Sequence, residues 1–443
     1  MARYDLMHWS QRIRHQQTAG ARAEQTEPVP SDPAVRRTAK PRPARPKPPK
    51  DEDAEELLRL CRDGRLFDLQ AWVANGRRLT VPPHYRQTPL RVAVEIGFHS
   101  LIEFLLQHES NQEAKDDVLK QSCWRNQHGV MELAIRHGAR VDAVPFQDVI
   151  ETWDRGIAQL FLQHGADPVA NAPFARAFKQ RIKGILGIFL DCKRERPDLA
   201  EALQVQADTA LRQACQDDDL KWVSLLMWLG ADPRTKGLTT DDLDTSGAQE
   251  DPSYQQSAMQ IGCGSRNPEI LRRLKPDPAI DDLRELMAAA SCFNTAPETV
   301  AHLISLGAEI NDQSNGGSTA LDSCLRQFAW RESVFEATYP YYKHVVVPLS
   351  RLTRSLDALR SLLTRGARWI PEPHAISDVR KALYRLDAEA ISVVVELLRT
   401  HGACDEAILK DLVRTPKMRS LLATVARRHG VGHRGGKRSS RER

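Results

Sequence analysis

An apolar run that stops on glycine recurs along this 443-residue chain, and no other feature restricts the fold as much. The segments read MELAIRHGARVD, LFLQHGADP, SLLMWLGADP, HLISLGAEIN, SLLTRGARW and VELLRTHGACD, with glycines at Gly138, Gly165, Gly230, Gly307, Gly366 and Gly402. WVANGRRL adds Gly76, and EFLLQHESN puts Glu109 at the same place. Glycine after an apolar helical run is the usual helix stop, because it takes a positive φ without steric cost. Successive gaps are 33, 29, 27, 65, 77, 59 and 36 residues. A short gap holds one small helical unit, which cannot bury its apolar face alone and must stack on its neighbours. The long gaps predict further units, at ILGIFLDCKRERPD and ILRRLKPDP, together with insertions.

The starts of the units agree with their ends. Thr88-Pro89-Leu90-Arg91-Val92-Ala93, followed by Gly97, places proline where a helix begins and glycine where it stops. Thr209-Ala210-Leu211-Arg212-Gln213-Ala214 and Ser318-Thr319-Ala320-Leu321 echo this start. The pattern resembles the ankyrin repeat, which runs T-P-L-H-x-A, short helix, glycine, second helix, then Gly-Ala-Asp. The resemblance covers residues 52–430. It implies an all-α solenoid of about ten helix-turn-helix repeats over 51–404, with capping helices at 405–430.

Charge divides the chain in a different way. The formal charge is +5, yet residues 1–50 carry eleven Lys/Arg against four Asp/Glu, and residues 427–443 carry seven against one. The stretch between is therefore acidic by eight charges. Residues 1–50 also hold eight prolines, so they read as a disordered basic leader, with Leu6, Trp9 and Ile13 spaced for a short amphipathic helix. Residues 431–443 read as a basic disordered tail. No run reaches the roughly 18 apolar residues of a membrane span, and the first residues lack the apolar stretch of a signal peptide. A cytoplasmic protein is the expectation, with a nuclear or secreted-effector role left open.

The eight cysteines form no CxxC pair or zinc-type cluster. Cys61, Cys123, Cys215 and Cys292 each precede a corner glycine by fifteen residues, and Cys263 fits with a slightly shorter unit. In the repeat that place holds a small residue where the first helix packs closely, so these thiols are expected in the core. Two insertions depart from the repeat. Residues 234–256 carry Asp241, Asp242, Asp244, Glu250 and Asp251 without periodicity, which reads as a solvated acidic loop. Residues 328–350 bring Phe328, Trp330, Phe335, Tyr339, Tyr341 and Tyr342, which either bind a partner or anchor the insertion.

No catalytic constellation emerges, and no enzyme, cofactor, metal or small-molecule substrate is expected: the chain lacks a P-loop, a dinucleotide fingerprint, HExxH and GxSxG. Gly262-Cys263-Gly264-Ser265 fits the repeat register, and Asp217-Asp218-Asp219 sits where a turn caps the next helix. His108, His137, His164 and His401 are spread over separate corners. The resemblance implies instead a monomeric scaffold for a protein partner, recognised at hairpin tips and at the exposed ends of the first helices. Those ends read Arg62-Asp63, Glu95-Ile96, Trp124-Arg125, Trp153-Asp154, Gln216-Asp217, Gly264-Ser265 and Phe293-Asn294. In this reading Trp124 and Trp153 occupy equivalent places on adjacent units, either as anchors for the partner or folded back between units. The tips add Arg77, Arg78, Arg140, Arg234, Arg368 and Trp369, compatible with an acidic peptide. The candidate partner contacts are thus Arg62, Trp124, Arg125, Trp153, Asp154, Phe293, Trp330, Tyr341, Tyr342 and Trp369. A second expectation is weak nucleic acid or anionic membrane contact through the basic ends.

Overall fold

Helix pairs follow one another along the chain in a computed structural model. It describes residues 51–82, 84–251, 254–290, 295–315, 317–327, 347–371, 373–416, 418–420 and 423. Ten pairs are present among the described residues. They are α1 Asp51–Arg62 with α2 Leu66–Ala74, α3 Pro89–Ile96 with α4 His99–His108, and α5 Gln112–Trp124 with α6 His128–Arg136. Then come α7 Phe146–Ile150 with α8 Arg155–Gln163, α9 Pro173–Lys179 with α10 Ile185–Glu195, and α11 Ala200–Gln216 with α12 Leu220–Trp228. The last four are α13 Ala258–Cys263 with α14 Pro268–Leu274, α15 Leu283–Ala289 with α16 Pro297–Ser305, α17 Ala320–Gln327 with α18 Thr353–Thr364, and α19 Pro373–Leu383 with α20 Ala388–Thr400. A final helix, α21 Glu406–Leu412, packs on α19, whose Arg380 donates to the carbonyls of Asp411 and Leu412.

First helices pack on first helices and second on second, giving two layers around one apolar core. Each unit alone is too thin to bury both faces, so stability comes from the stacking. The corners behave as the glycines predict. Gly76, Gly138, Gly165, Gly230, Gly307, Gly366 and Gly402 all have positive φ. Glu109 does not: it leaves the helix extended, and its carboxylate accepts from the Asn111 amide. The hidden units are present as α10 and α14, and Lys275 takes the left-handed place where α14 has no glycine. Thr88 caps α3 through the Arg91 amide, with Pro89 in the first turn. Thr209 does not start a helix. It lies inside the 17-residue α11, buried, with its hydroxyl accepting from Arg212.

Cys61, Cys123, Cys215 and Cys263 are buried at first-helix ends, while Cys292 lies outside the described residues. Burial pushes the Cys61 and Cys123 thiols up to about 12. They fill space where helices approach closely.

Two units share a polar device that spacing alone does not announce. In α5, the buried Asp116 carboxylate accepts from the Arg140 amide (2.7 Å), while Gln112 Nε2 bridges Asp116 and the corner carbonyl of Gly138 (both 2.8 Å). In α11, Asp208 accepts from the Asp232 amide (2.7 Å), and Gln204 Nε2 bridges Asp208 and the Gly230 carbonyl. The environments then diverge. Burial would raise the Asp116 carboxyl, but hydrogen bonds from the Arg140 amide and guanidinium and from Gln112 outweigh it and hold the group below its ordinary value. At Asp208 burial is the larger effect and leaves the carboxyl raised, against its own hydrogen bonds and the nearby Arg212 charge, which lower it.

Asp116→Ala should therefore cost about 2 kcal/mol at pH 7, since the Arg140 amide, the Arg140 guanidinium and Gln112 all lose the acceptor that Asp116 supplies. Asp208→Asn should change stability by much less, because an amide oxygen still accepts from Asp232. The pH signs are opposite. Asp116 stabilises above the ordinary carboxylate value of about 4 and loses that contribution as pH falls through its depressed value. The Asp208 carboxylate costs stability above its raised value and is relieved as pH falls. Urea titrations of both variants at pH 7 and pH 3.5 measure this, and the Asp116 deficit should shrink at the lower pH.

The acidic loop 234–256 keeps Asp241, Asp244, Glu250 and Asp251 exposed to solvent, but its root is anchored to the fold. Its ends pair as a short antiparallel ladder, β1 Lys236–Gly237 with β2 Gln256–Ser257, in register Lys236 to Ser257. Buried Arg212 then holds its first limb, donating Nε to Leu238 O (2.8 Å) and Nη1 to Thr235 O (2.9 Å). Leu238, Thr239 and Thr240 are buried in consequence. Of the insertion 328–350, only Val347 to Ser350 is described. Val347 bridges to the α19–α20 turn through Arg385 O and the Asp387 amide.

Candidate protein-interaction surface

The turn joining the two helices of a unit recurs at one edge of the stack. In five units it contains a residue of positive φ whose amide bonds to the carbonyl three residues back. These are Gly64 to Cys61, Asn126 to Cys123, Trp153 to Ile150, Arg181 to Phe178 and Asp218 to Cys215. This register corrects the equivalence of the two tryptophans. Trp153 aligns with Asn126, and the residue that matches Trp124 is Glu151. The reason is the close-packing place, which in the fourth unit is Ile150, fifteen residues before Gly165, two residues earlier than a reading centred on Trp153 requires.

Both rings are nonetheless at the surface, Trp124 at 53% and Trp153 at 66% exposed. They belong to one ridge, because neighbouring turns touch. A Cβ on Gly64 would lie 2.5 Å from the Phe98 ring, and one on Gly129 would lie 3.2 Å from the His99 ring. Gln127 donates to Val94 O across the same boundary, and His128 stands against Gly156 one unit further on. Ile96 and Phe98 are 40% and 45% exposed, so apolar surface runs over the turns of units two to four. Sequence reasoning passed over Phe98, although its place just beyond the Gly97 stop marked it as a turn residue.

From the fifth unit the edge becomes ionic. Arg181 pairs with Asp217 (2.9 Å) and Asp219 (2.7 Å), while Asp219 also caps α12 through the Trp222 amide. Asp218 accepts from the Ser265 hydroxyl and from the Arg266 amide. The three aspartates are thus each committed to a neighbour. Among the described residues no group of three His, Cys, Asp or Glu side chains is placed to hold a metal ion.

The other candidate residues meet different outcomes. Arg62 is exposed and donates to Gln87 Oε1 (2.9 Å), and Arg125 is exposed at the end of α5. Asp154 has a local task, capping α8 by accepting from the Gly156 and Ile157 amides. Trp369 is the correction: it is wholly buried, with Nε1 donating to Asp322 Oδ1 (3.2 Å). Among the tip arginines, Arg140 is taken by Asp116 (2.7 Å) and Arg234 by Asp281 through two contacts of 2.9 Å, while Arg77 lies over the Trp72 ring. Those tips bind their own fold. Phe293, Trp330, Tyr341, Tyr342 and the basic ends, with their proposed polyanion contacts, lie outside the described residues.

Stacked helix pairs, left-handed corner glycines and the proline-initiated third helix together define an ankyrin-type helical solenoid. No family model matches the chain, and no curated protein does. Among solved structures it is similar to the ankyrin repeat domain of human ASB11, covering 60% of this chain and 90% of that one, at 12% identity and a TM-score of 0.21. So distant a likeness adds nothing to what the helix pairs establish themselves. No described helix is long and apolar enough to cross a membrane.

Proposed function

We propose that this chain is a non-enzymatic interaction scaffold whose protein partner seats on the turn ridge of units two to four. The observation that carries the reading is Trp153. A bulky aromatic at φ 62° occupies a place that glycine, asparagine, arginine and aspartate fill in the other four units. Left-handed backbone costs such a residue about 1 kcal/mol. The residue recovers little of that by burial, since it is two-thirds exposed. Exposed tryptophans and apolar residues on successive turns of one edge have the composition of binding hot spots.

Trp153→Gly separates the fold from the function. It relieves the left-handed strain at the entropic cost of a glycine, so the change in stability should stay within about 1 kcal/mol. Partner capture should fall at least tenfold, and further with Trp124→Ala. Affinity capture with quantitative mass spectrometry, run beside thermal melts, measures both. A partner set that survives both substitutions would remove the ridge from consideration, and a collapse of the melt would return the rings to the core.

A further inference from the structure

We propose that the face formed by α9 and α11 is a receptor for an acidic helical turn, and that Asp241 and Asp244 of loop 234–256 occupy it in this chain. Arg176 is held in place first: its Nε donates to Asn171 O (3.0 Å), and its side chain is only 19% exposed. The remaining two amino groups meet Asp244 as a fork, Nη1 to Oδ2 at 2.8 Å and Nη2 to Oδ1 at 2.7 Å. That geometry suits a carboxylate in both direction and charge. Three residues further along α9, Lys179 pairs with Asp241.

The two aspartates are also three residues apart, joined by the 3-10 turn Asp242–Asp244. Cations three residues apart therefore face carboxylates three residues apart, so the face selects a spacing as well as a charge. Below them, Gln213 on α11 binds the Asp241 amide and its Oδ2, both at 2.9 Å. The asymmetry between the two sides shows which is the receptor. It lies in the Arg176–Asp244 pair: Arg176 is built into the fold, whereas the Asp244 side chain is 72% exposed, while Lys179 and Asp241 are similarly exposed at 40% and 48%. Exposed pairs of this kind contribute about 1 kcal/mol or less. An acidic helical segment with further contacts of its own would displace them, while the loop's root stays fixed by Arg212. This face lies on the first helices and does not depend on the turn ridge.

The test uses the full chain and a fluorescein-labelled peptide, LTTDDLDTSGAQED, which copies residues 238–251. Fluorescence anisotropy should show at least tenfold tighter binding to the Asp241→Asn/Asp244→Asn chain than to wild type. Adding Arg176→Ala and Lys179→Ala should abolish it. Unchanged affinity in the opened chain, or binding that persists without the two cations, overturns the proposal. Should the opened chain fail to fold, the Arg176→Ala/Lys179→Ala chain gives the second readout. Cleavage at Glu250 or Asp251 by an acid-directed protease must then be faster than in wild type, and equal rates overturn the proposal.

Discussion

Trp369→Ala should lower the stability of the folded chain by about 3–5 kcal/mol, the usual cost of deleting a large aromatic from a packed interior. The residue stands three positions after the corner Gly366, with no exposed surface. Its amide donates to Ala403 O (2.6 Å) and its ring nitrogen to Asp322, so it ties the ninth unit to the tenth. Asp322 is itself buried, and Arg326 shares its carboxylate (2.8 Å). Removing the ring leaves a void and takes one donor from a buried acid. Trp369→Phe keeps most of the volume but not the donor, so it should recover most, not all, of the loss. Urea unfolding of the three chains decides the matter; a residue serving only a partner would leave the midpoint unmoved.

The misplacement of Trp369 shows what the residues make legible and what they hide. The corner glycines are readable because positive φ is a local demand that a single residue type satisfies. Their followers were readable too: Ala139, Ala166, Ala231, Ala308, Ala367 and Ala403 are all buried. Three places after the glycine stand Val141, Pro168, Pro233 and Ile310, each buried or half-buried, and Trp369 belongs to that series. The signal was therefore present as an apolar column across units, but a tip read by itself looks exposed. The two tryptophans of the ridge fail differently. Their exposure follows from the turn, whereas their register depends on where Ile150 packs, and a chain of degenerate repeats fixes that only in three dimensions. The Gln112–Asp116 and Gln204–Asp208 devices are separated by the same 92 residues as Cys123 and Cys215, so the repeat carried them in plain spacing. Nothing local says that such an aspartate turns inward, because its acceptor role needs a corner amide from the following hairpin. The anchoring of loop 234–256 was hidden for a related reason. Its charge pattern suits solvent, and the buried cation that holds it lies on another element.

Arg212→Ala should cost about 2–4 kcal/mol and free the root of that loop. Arg212 is 2% exposed, and its guanidinium is satisfied by the carbonyls of Leu238 and Thr235 and by the Thr209 hydroxyl. Burial lowers its pKa, and Asp208 nearby acts the other way. Alanine leaves two carbonyls short of their donor at about 1–3 kcal/mol each when they stay buried, less whatever the loop regains by opening to water. The same site explains Gly237, where a Cβ would lie 2.7 Å from Arg212 Nη2. Gly237→Ala should therefore be destabilising alone and nearly neutral once Arg212 is alanine. A double-mutant cycle read by urea unfolding measures this coupling directly. Limited proteolysis beside it should show residues 238–251 becoming accessible in both single variants while α11 stays protected. Strict additivity of the two substitutions would mean that the glycine and the guanidinium do not share the space.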